Sequence, residues 1–219
     1  MLNKLASPKN FIDKNKLLQS LLIVMILCYN IKANAQSEWE VNTLRDINPK
    51  SPNSLFWKGI SYSAEPLSVA VPVGMLTTAI ITHDKKLKIK SFEVLGSLAL
   101  ASATTEAAKM IFNRPRPYET YIEIYPNKKE SGKSFPSGHT TTAFSTAMSL
   151  TLISKKWYIA APAFAWAASV GYSRMYLGQH YPSDVLMGAM VGTASAFVSH
   201  WLTKKISTRP KRIFKNYVK

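Results

Sequence analysis

The chain has 219 residues, with 28 Lys plus Arg against 12 Asp plus Glu and a formal net charge of +16. Hydrophobic residues make up 47% and charged residues 18%, which excludes an intrinsically disordered chain. The single cysteine excludes a disulfide framework, a zinc ribbon and an iron–sulfur cluster. The excess of positive charge suits a nucleic acid, a phosphate-bearing ligand or an anionic membrane surface. The positions of the basic residues along the chain distinguish between these three kinds of partner.

The first 35 residues are predicted to be a signal peptide. A lysine-rich stretch, residues 1–16, precedes an apolar stretch of 13 residues, 17–29, and Ala33-Asn34-Ala35 is a typical cleavage site. The alternative is an uncleaved first transmembrane helix, but 13 apolar residues are few for a hydrocarbon core about 30 Å thick.

The rest of the chain predicts a helical membrane protein. Residues 36–65 are a polar segment, interpreted as a loop with short helical pieces. Apolar segments of 17 to 21 residues follow at 66–82, 92–112, 137–154, 157–173 and 183–203. None alternates with period two, and all are rich in small residues, as in closely packed helices. We therefore expect an all-α bundle of about five transmembrane helices, or six if the signal peptide is retained.

The linkers predict how the bundle is oriented. Four lysines lie in residues 83–90, two at 155–156, and seven basic residues in 204–219, whose last part, 206–219, is a basic tail. If all five segments span, these clusters share one side, which the positive-inside rule makes the cytoplasm. The loops 113–136 and 174–182 would then face the periplasm, across a bacterial inner membrane. No nucleic-acid readout motif is visible, so a nucleic-acid partner is not expected.

Three motifs fall in these outward loops. They are Lys109-x6-Arg116-Pro117, Pro136-Ser137-Gly138-His139 and Ser173-Arg174-x5-His180-x3-Asp184. Fixed cations suit a phosphate dianion, and the free N–H groups of a helix beginning near Ser137 and Gly138 favour an anion. Two histidines can supply a nucleophile and an acid, and a carboxylate four residues after His180 can orient its imidazole.

Each motif also has a plainer interpretation. Ser137 could be an ordinary helix N-cap, and either histidine could be structural. Two histidines and one aspartate are the minimum for a metal site, and the surrounding cations would repel a divalent ion. No metal and no other cofactor is therefore expected.

Taken together, the three motifs resemble the signature of the type 2 phosphatidic acid phosphatase (PAP2) superfamily, with every position matched in order over roughly residues 60–205. We assign the PAP2-like catalytic domain to residues 66–205. The resemblance implies that phosphate is held by Lys109, Arg116, Ser137, Gly138 and Arg174. It further implies that His180 forms a phosphohistidine, that Asp184 holds its tautomer, and that His139 protonates the leaving oxygen and then activates water. Arg114 lies outside the signature.

The resemblance leaves more than one function open. The leading hypothesis is a phosphatase for membrane lipid phosphates, such as phosphatidic acid, phosphatidylglycerol phosphate, undecaprenyl diphosphate or the phosphates of lipid A. A soluble periplasmic acid phosphatase is the alternative, and the related vanadium haloperoxidases are a more distant one. A membrane scaffold that binds anionic lipid without catalysis is the non-enzymatic alternative. The sequence does not indicate an oligomeric state.

Overall fold

The computed structural model describes residues 37–207, and this part of the chain is helical without a β-strand. The predicted signal peptide, 1–35, and most of the basic tail, 206–219, lie outside the described residues. The helices are α1 (Glu38–Ile47), α2 (Leu55–Ile81), α3 (Lys85–Phe112), α4 (Pro117–Thr120), α5 (Gly138–Ser154), α6 (Trp157–Tyr176) and α7 (Pro182–Ser207).

The five predicted apolar segments correspond to the five long helices, so the all-α bundle is confirmed. The largest difference lies in α2, which begins at Leu55 rather than near residue 66, and α3 also begins earlier, at Lys85 rather than near residue 92. Its start is set by Ser54, whose hydroxyl accepts a hydrogen bond from the Trp57 N–H at 3.5 Å. The helix continues through Pro66 and Pro72. Residues 36–65, interpreted as a loop with short helical pieces, are therefore helical at 21 of 30 positions, in α1 and the first turns of α2.

Helix α5 lies at the centre and packs against all four other long helices. Its buried residues are small or hydroxyl-bearing: Thr140, Thr141, Ala143, Ser145, Thr146, Ala147 and Ser149. The threonines satisfy their hydroxyls within the helix, as when Thr146 donates to the Thr142 carbonyl at 2.9 Å. Ser145 instead bonds to Ser97 of α3, with 2.6 Å between the two hydroxyl oxygens. Small residues thus let the neighbouring helices approach α5 closely.

The closest approach is between α5 and α7, at Gly188 and Gly192. A Cβ added to Gly188 would lie 2.7 Å from the Ser137 carbonyl oxygen, and one added to Gly192 would lie 2.8 Å from the Ser145 nitrogen. At Gly192 the added atom would also overlap the Thr141 carbonyl. Because two backbones meet here, only glycine fits, as in G-x-x-x-G contacts between membrane helices.

The outer surface of the bundle carries many large apolar side chains. Large side chains of α2 and α7 are exposed, including Leu67, Val73, Leu186, Met190 and Phe197. A soluble protein would bury such residues, whereas a bundle in lipid exposes them. Within residues 37–207, α2 and α7 are the helices long and apolar enough, by length and composition, to cross a membrane. The number of spans stays a prediction.

The three motifs meet at one end of the bundle, as predicted. They occupy the end of α3, the start of α5, the end of α6 and the start of α7. The lysines of residues 85–90 and 155–156 lie at the opposite end, where α3 begins and α5 ends. The lysine clusters and the three motifs therefore lie at opposite ends of the bundle.

We expect Gly192→Ala to lower the stability of the folded chain by about 2 kcal/mol or more, because the added methyl group overpacks a backbone contact. Thermal unfolding of the detergent-solubilised protein measures this. Gly74→Ala is the matched control, since nothing lies within 4 Å of a Cβ added there. It should be neutral or stabilising, because alanine is the better helix former. Equal melting temperatures for both variants would contradict the packing account.

Candidate active site

A cavity of about 250 Å³ opens at the end of the bundle where the motifs meet. Five of the predicted residues line it: Lys109, Arg116, Gly138, His139 and His180. The other three, Ser137, Arg174 and Asp184, are buried behind this lining. Glu130, which the sequence did not single out, also lines the cavity.

The imidazole of His180 is buried in a defined orientation. Its Nδ1 lies 2.8 Å from the Ser134 carbonyl oxygen, and because a carbonyl only accepts, Nδ1 carries the proton. Nε2 is then the unprotonated nitrogen, 3.4 Å from Nη1 of Arg116. Burial lowers the pKa of His180 well below its ordinary value, and the Arg174 and Arg116 charges lower it further. His180 is therefore a neutral imidazole whose Nε2 carries the lone pair and accepts a long hydrogen bond from Arg116.

Asp184 supports His180 indirectly. The separation of four residues predicted a contact within one helical turn, but α7 begins at Pro182, so His180 precedes the helix. The Asp184 Oδ2 atom lies 3.6 Å from Nδ1 of His180, beyond hydrogen-bond distance. Asp184 accepts hydrogen bonds from the Ser134 hydroxyl and, at 2.9 Å, from the Tyr181 N–H. Asp184 thus fixes Ser134, whose carbonyl accepts the Nδ1 proton of His180.

Arg116 and Arg174 are almost fully buried, at 3% and 1% exposure, and they share one carboxylate. Oε2 of Glu130 lies 2.6 Å from Nη2 of Arg174 and 3.4 Å from Nη2 of Arg116. Burial raises the pKa of Glu130, but the two guanidinium charges outweigh it, so this pKa lies below its ordinary value. One ionised carboxylate therefore faces two buried cations.

Lys109 and the first turn of α5 form the opposite wall of the cavity. Nζ of Lys109 pairs with Glu106 at 2.8 Å and lies 3.8 Å from where a Gly138 Cβ would stand. This is an ordinary contact distance, so packing does not require glycine here. The backbone of Gly138 is thus left open toward the cavity.

Ser137, predicted to bind phosphate, is buried and does not line the cavity. Its Oγ lies 2.9 Å from the Thr140 hydroxyl, and its N–H donates to the Asp184 carbonyl at 3.0 Å. It joins the start of α5 to the start of α7. His139, two residues further along the chain, does line the cavity, and its nearest carboxylate is Glu65 of α2, at 3.8 Å.

Arg114 lies outside the cavity, within a buried ionic cluster. Its guanidinium donates to Asp184 Oδ1 at 2.6 Å and to Glu40 Oε2 at 2.9 Å, and stacks 3.8 Å from the centre of the Tyr181 ring. Glu40 belongs to α1 and also accepts from the Ser183 N–H at 3.1 Å. The N-terminal helix therefore contributes a buried carboxylate that supports Asp184.

Sequence reasoning missed Glu130, Ser134 and Glu40. Each contacts at least one residue 44 or more positions away, such as Arg174 for Glu130 and Arg114 for Glu40. The one available signal was the position of Glu130 directly after Lys128 and Lys129. Among residues 37–207, no group of three or more His, Cys, Asp or Glu side chains is arranged to hold a metal ion.

Comparison with known proteins agrees with this geometry. The sequence model of the PAP2 superfamily matches residues 90–207, more than half of the chain. The chain belongs to the PAP2 superfamily. The matched region contains all three motifs and every residue that lines the cavity except Glu65.

Two curated relatives match part of the chain. A lipid A 4'-phosphatase of Bacteroides thetaiotaomicron is 29% identical over 97 residues, 44% of this chain and 43% of the relative. An undecaprenyl-diphosphatase of Sulfolobus acidocaldarius is 30% identical over 123 residues, 56% of this chain and 59% of the relative. The chain thus spans about half the length of each of these relatives.

A solved PAP2 structure matches more of the chain. It is the transmembrane PAP2-type phosphatidylglycerolphosphate phosphatase of Bacillus subtilis, with a TM-score of 0.68 and 25% identity over 88% of this chain and 98% of that one. The fold, the membrane location and the PAP2 family are therefore established together.

We expect Gly138→Ala to weaken binding of inorganic phosphate about tenfold without changing the fold, because the added methyl group enters the cavity and keeps an anion from the α5 amides. Calorimetric titration of the solubilised protein with inorganic phosphate measures the affinity. Gly59→Ala, in the first turns of α2 with nothing within 4 Å of its added Cβ, is the control. Unchanged affinity in Gly138→Ala would exclude the amides as ligands.

Proposed function

We propose that the protein is a metal-independent phosphatase that hydrolyses phosphomonoesters or diphosphates of membrane lipids through a phosphohistidine. The observation that carries this proposal is the position of His180. Its neutral Nε2 faces a cavity lined by Arg116, Lys109 and the open backbone of Gly138. A nucleophile beside several fixed cations is what phosphoryl transfer requires.

In the first step, Nε2 of His180 attacks phosphorus and the bond from phosphorus to the leaving oxygen breaks. Arg116, Arg174 and Lys109 stabilise the charge that develops on the three non-bridging oxygens. His139 donates a proton to the leaving oxygen, since it lines the same cavity from the start of α5. The Ser134 carbonyl stabilises the positive imidazole that forms, because it accepts the Nδ1 proton.

In the second step, water attacks phosphorus and the bond from phosphorus to Nε2 breaks. His139, now unprotonated, takes a proton from the water, and inorganic phosphate leaves. His180 returns to its neutral form with Nδ1 still hydrogen-bonded to Ser134. Asp184 acts as a positioning residue in both steps, through Ser134 and Tyr181.

A lipid substrate is supported by what surrounds the cavity. A second, wider cavity of about 540 Å³ shares Glu65, Glu130 and His139 with the first and extends to Tyr62 and Pro66 of α2. Helix α2 exposes apolar side chains and is long enough to cross a membrane. A phosphorylated headgroup can therefore reach His139 from the side of α2 while its acyl chains stay in the bilayer. The relatives named for lipid A and undecaprenyl diphosphate favour such substrates.

The cavity is proposed to face the periplasm across a bacterial inner membrane. The lysines of residues 85–90 and 155–156 lie at the opposite end of the bundle, and the positive-inside rule assigns that end to the cytoplasm.

The proposal predicts a preference for lipid. Phosphatidic acid in detergent micelles should be hydrolysed at least about a hundredfold faster than glycerol 3-phosphate at equal concentration, because remote binding of the acyl chains aligns the phosphate. Phosphate release from the two compounds, assayed in EDTA, measures this. The protein should also stay in the membrane fraction after an alkaline wash. Equal rates on both compounds, with release from the membrane, would support the secreted acid phosphatase instead.

A further inference from the structure

Glu130 occupies an unusual position, because its carboxylate lies where an anionic ligand would be expected. Its Oε2 atom contacts a guanidinium nitrogen of Arg174 at 2.6 Å and one of Arg116 at 3.4 Å. The side chain lines both cavities and keeps 17% of its surface exposed, whereas the two arginines are buried. Glu130 is therefore reachable from the side on which a substrate enters.

The two arginines are otherwise held by the protein. Arg174 donates through Nη1 to the Ser61 hydroxyl at 2.9 Å, and Arg116 donates to the Gly132 and Ser131 carbonyls at 3.2 and 3.3 Å. The buried Nε of Arg174 has no hydrogen-bond partner among the described residues. The site thus offers more donors than a single carboxylate uses, as expected where a phosphoryl group with more oxygens binds.

The loop that carries Glu130 is anchored at the same residue. The Tyr118 hydroxyl lies 3.1 Å from both the backbone N–H and the carbonyl oxygen of Glu130. The main chain of Glu130 is therefore fixed at α4, and its side chain is the part that can turn away from the arginines by rotation alone.

We propose that Glu130 is a built-in competitor for the phosphate site, so that a substrate phosphoryl group binds Arg116 and Arg174 by displacing the Glu130 carboxylate. This inference rests on the proposed function, since it deepens the account of the same site. Two anions cannot share these cations without strong repulsion. Glu130 raises the KM for substrate, and it weakens the binding of inorganic phosphate, so that the product leaves readily.

The alternative is that Glu130 only holds Arg174 in place. The two roles predict opposite effects on phosphate affinity when the charge of Glu130 is removed. Glu130→Gln keeps the shape of the side chain and removes its charge. If Glu130 competes, inorganic phosphate should bind about tenfold more tightly to this variant, the factor expected for one charge-assisted hydrogen bond that no longer has to be broken. The KM for phosphatidic acid should fall in parallel, and kcat should not rise with it.

The experiment is calorimetric titration of the full-length, detergent-solubilised protein with inorganic phosphate, for wild type, Glu130→Gln and Glu130→Ala. Glu123→Gln is the matched control, because Glu123 lies in the same loop but forms an exposed ion pair with Arg45. Tighter binding in both Glu130 variants and none in the control supports the proposal. Equal or weaker binding in either folded Glu130 variant overturns it in favour of the holding role.

The titration is independent of turnover, so a wild-type protein that binds phosphate but hydrolyses no lipid phosphate would contradict the proposed function and not this inference.

Discussion

The structure depends on how three buried arginines are neutralised at one end of the bundle. Arg114 has two carboxylates, those of Glu40 and Asp184, so its charge is neutralised within the protein. Arg116 and Arg174 share the single carboxylate of Glu130. Two buried cations that share one carboxylate keep a net positive charge, which suits a dianion in place of Glu130. Arg114 therefore belongs to an internal ionic cluster, whereas Arg116 and Arg174 are the cations proposed to bind phosphate.

The helix packing places the start of α5 next to His180. Small residues on α5 and α7 bring the two backbones into contact, and Ser137 at the start of α5 bonds to the Asp184 carbonyl in α7. The open amides of α5 and the imidazole of His180 consequently line one cavity. Because the helices are rigid and the contact admits only glycine, the geometry of the site is set by the bundle itself.

The sequence was sufficient for the helices and for the end at which the motifs meet, because apolar length and charged linkers are local features. It was not sufficient for partners set by tertiary contact. The interval from His180 to Asp184 indicated a helical contact, yet Pro182 starts the helix after His180, and Ser134 supplies the hydrogen bond. Helix α2 extends further toward the N-terminus than its apolar pattern, because its first turns pack through aromatic residues such as Trp57 against Tyr172.

In the proposed reaction the phosphoryl group passes through His180, and trapping that group on His180 tests the reaction. Wild-type protein is mixed briefly with a lipid phosphate labelled in its terminal phosphoryl group, quenched in alkali and mapped by tandem mass spectrometry. We expect the label on His180 in the wild-type protein and no labelled residue in His180→Ala. A label on any other side chain, or a label of equal intensity in His180→Ala, would contradict it.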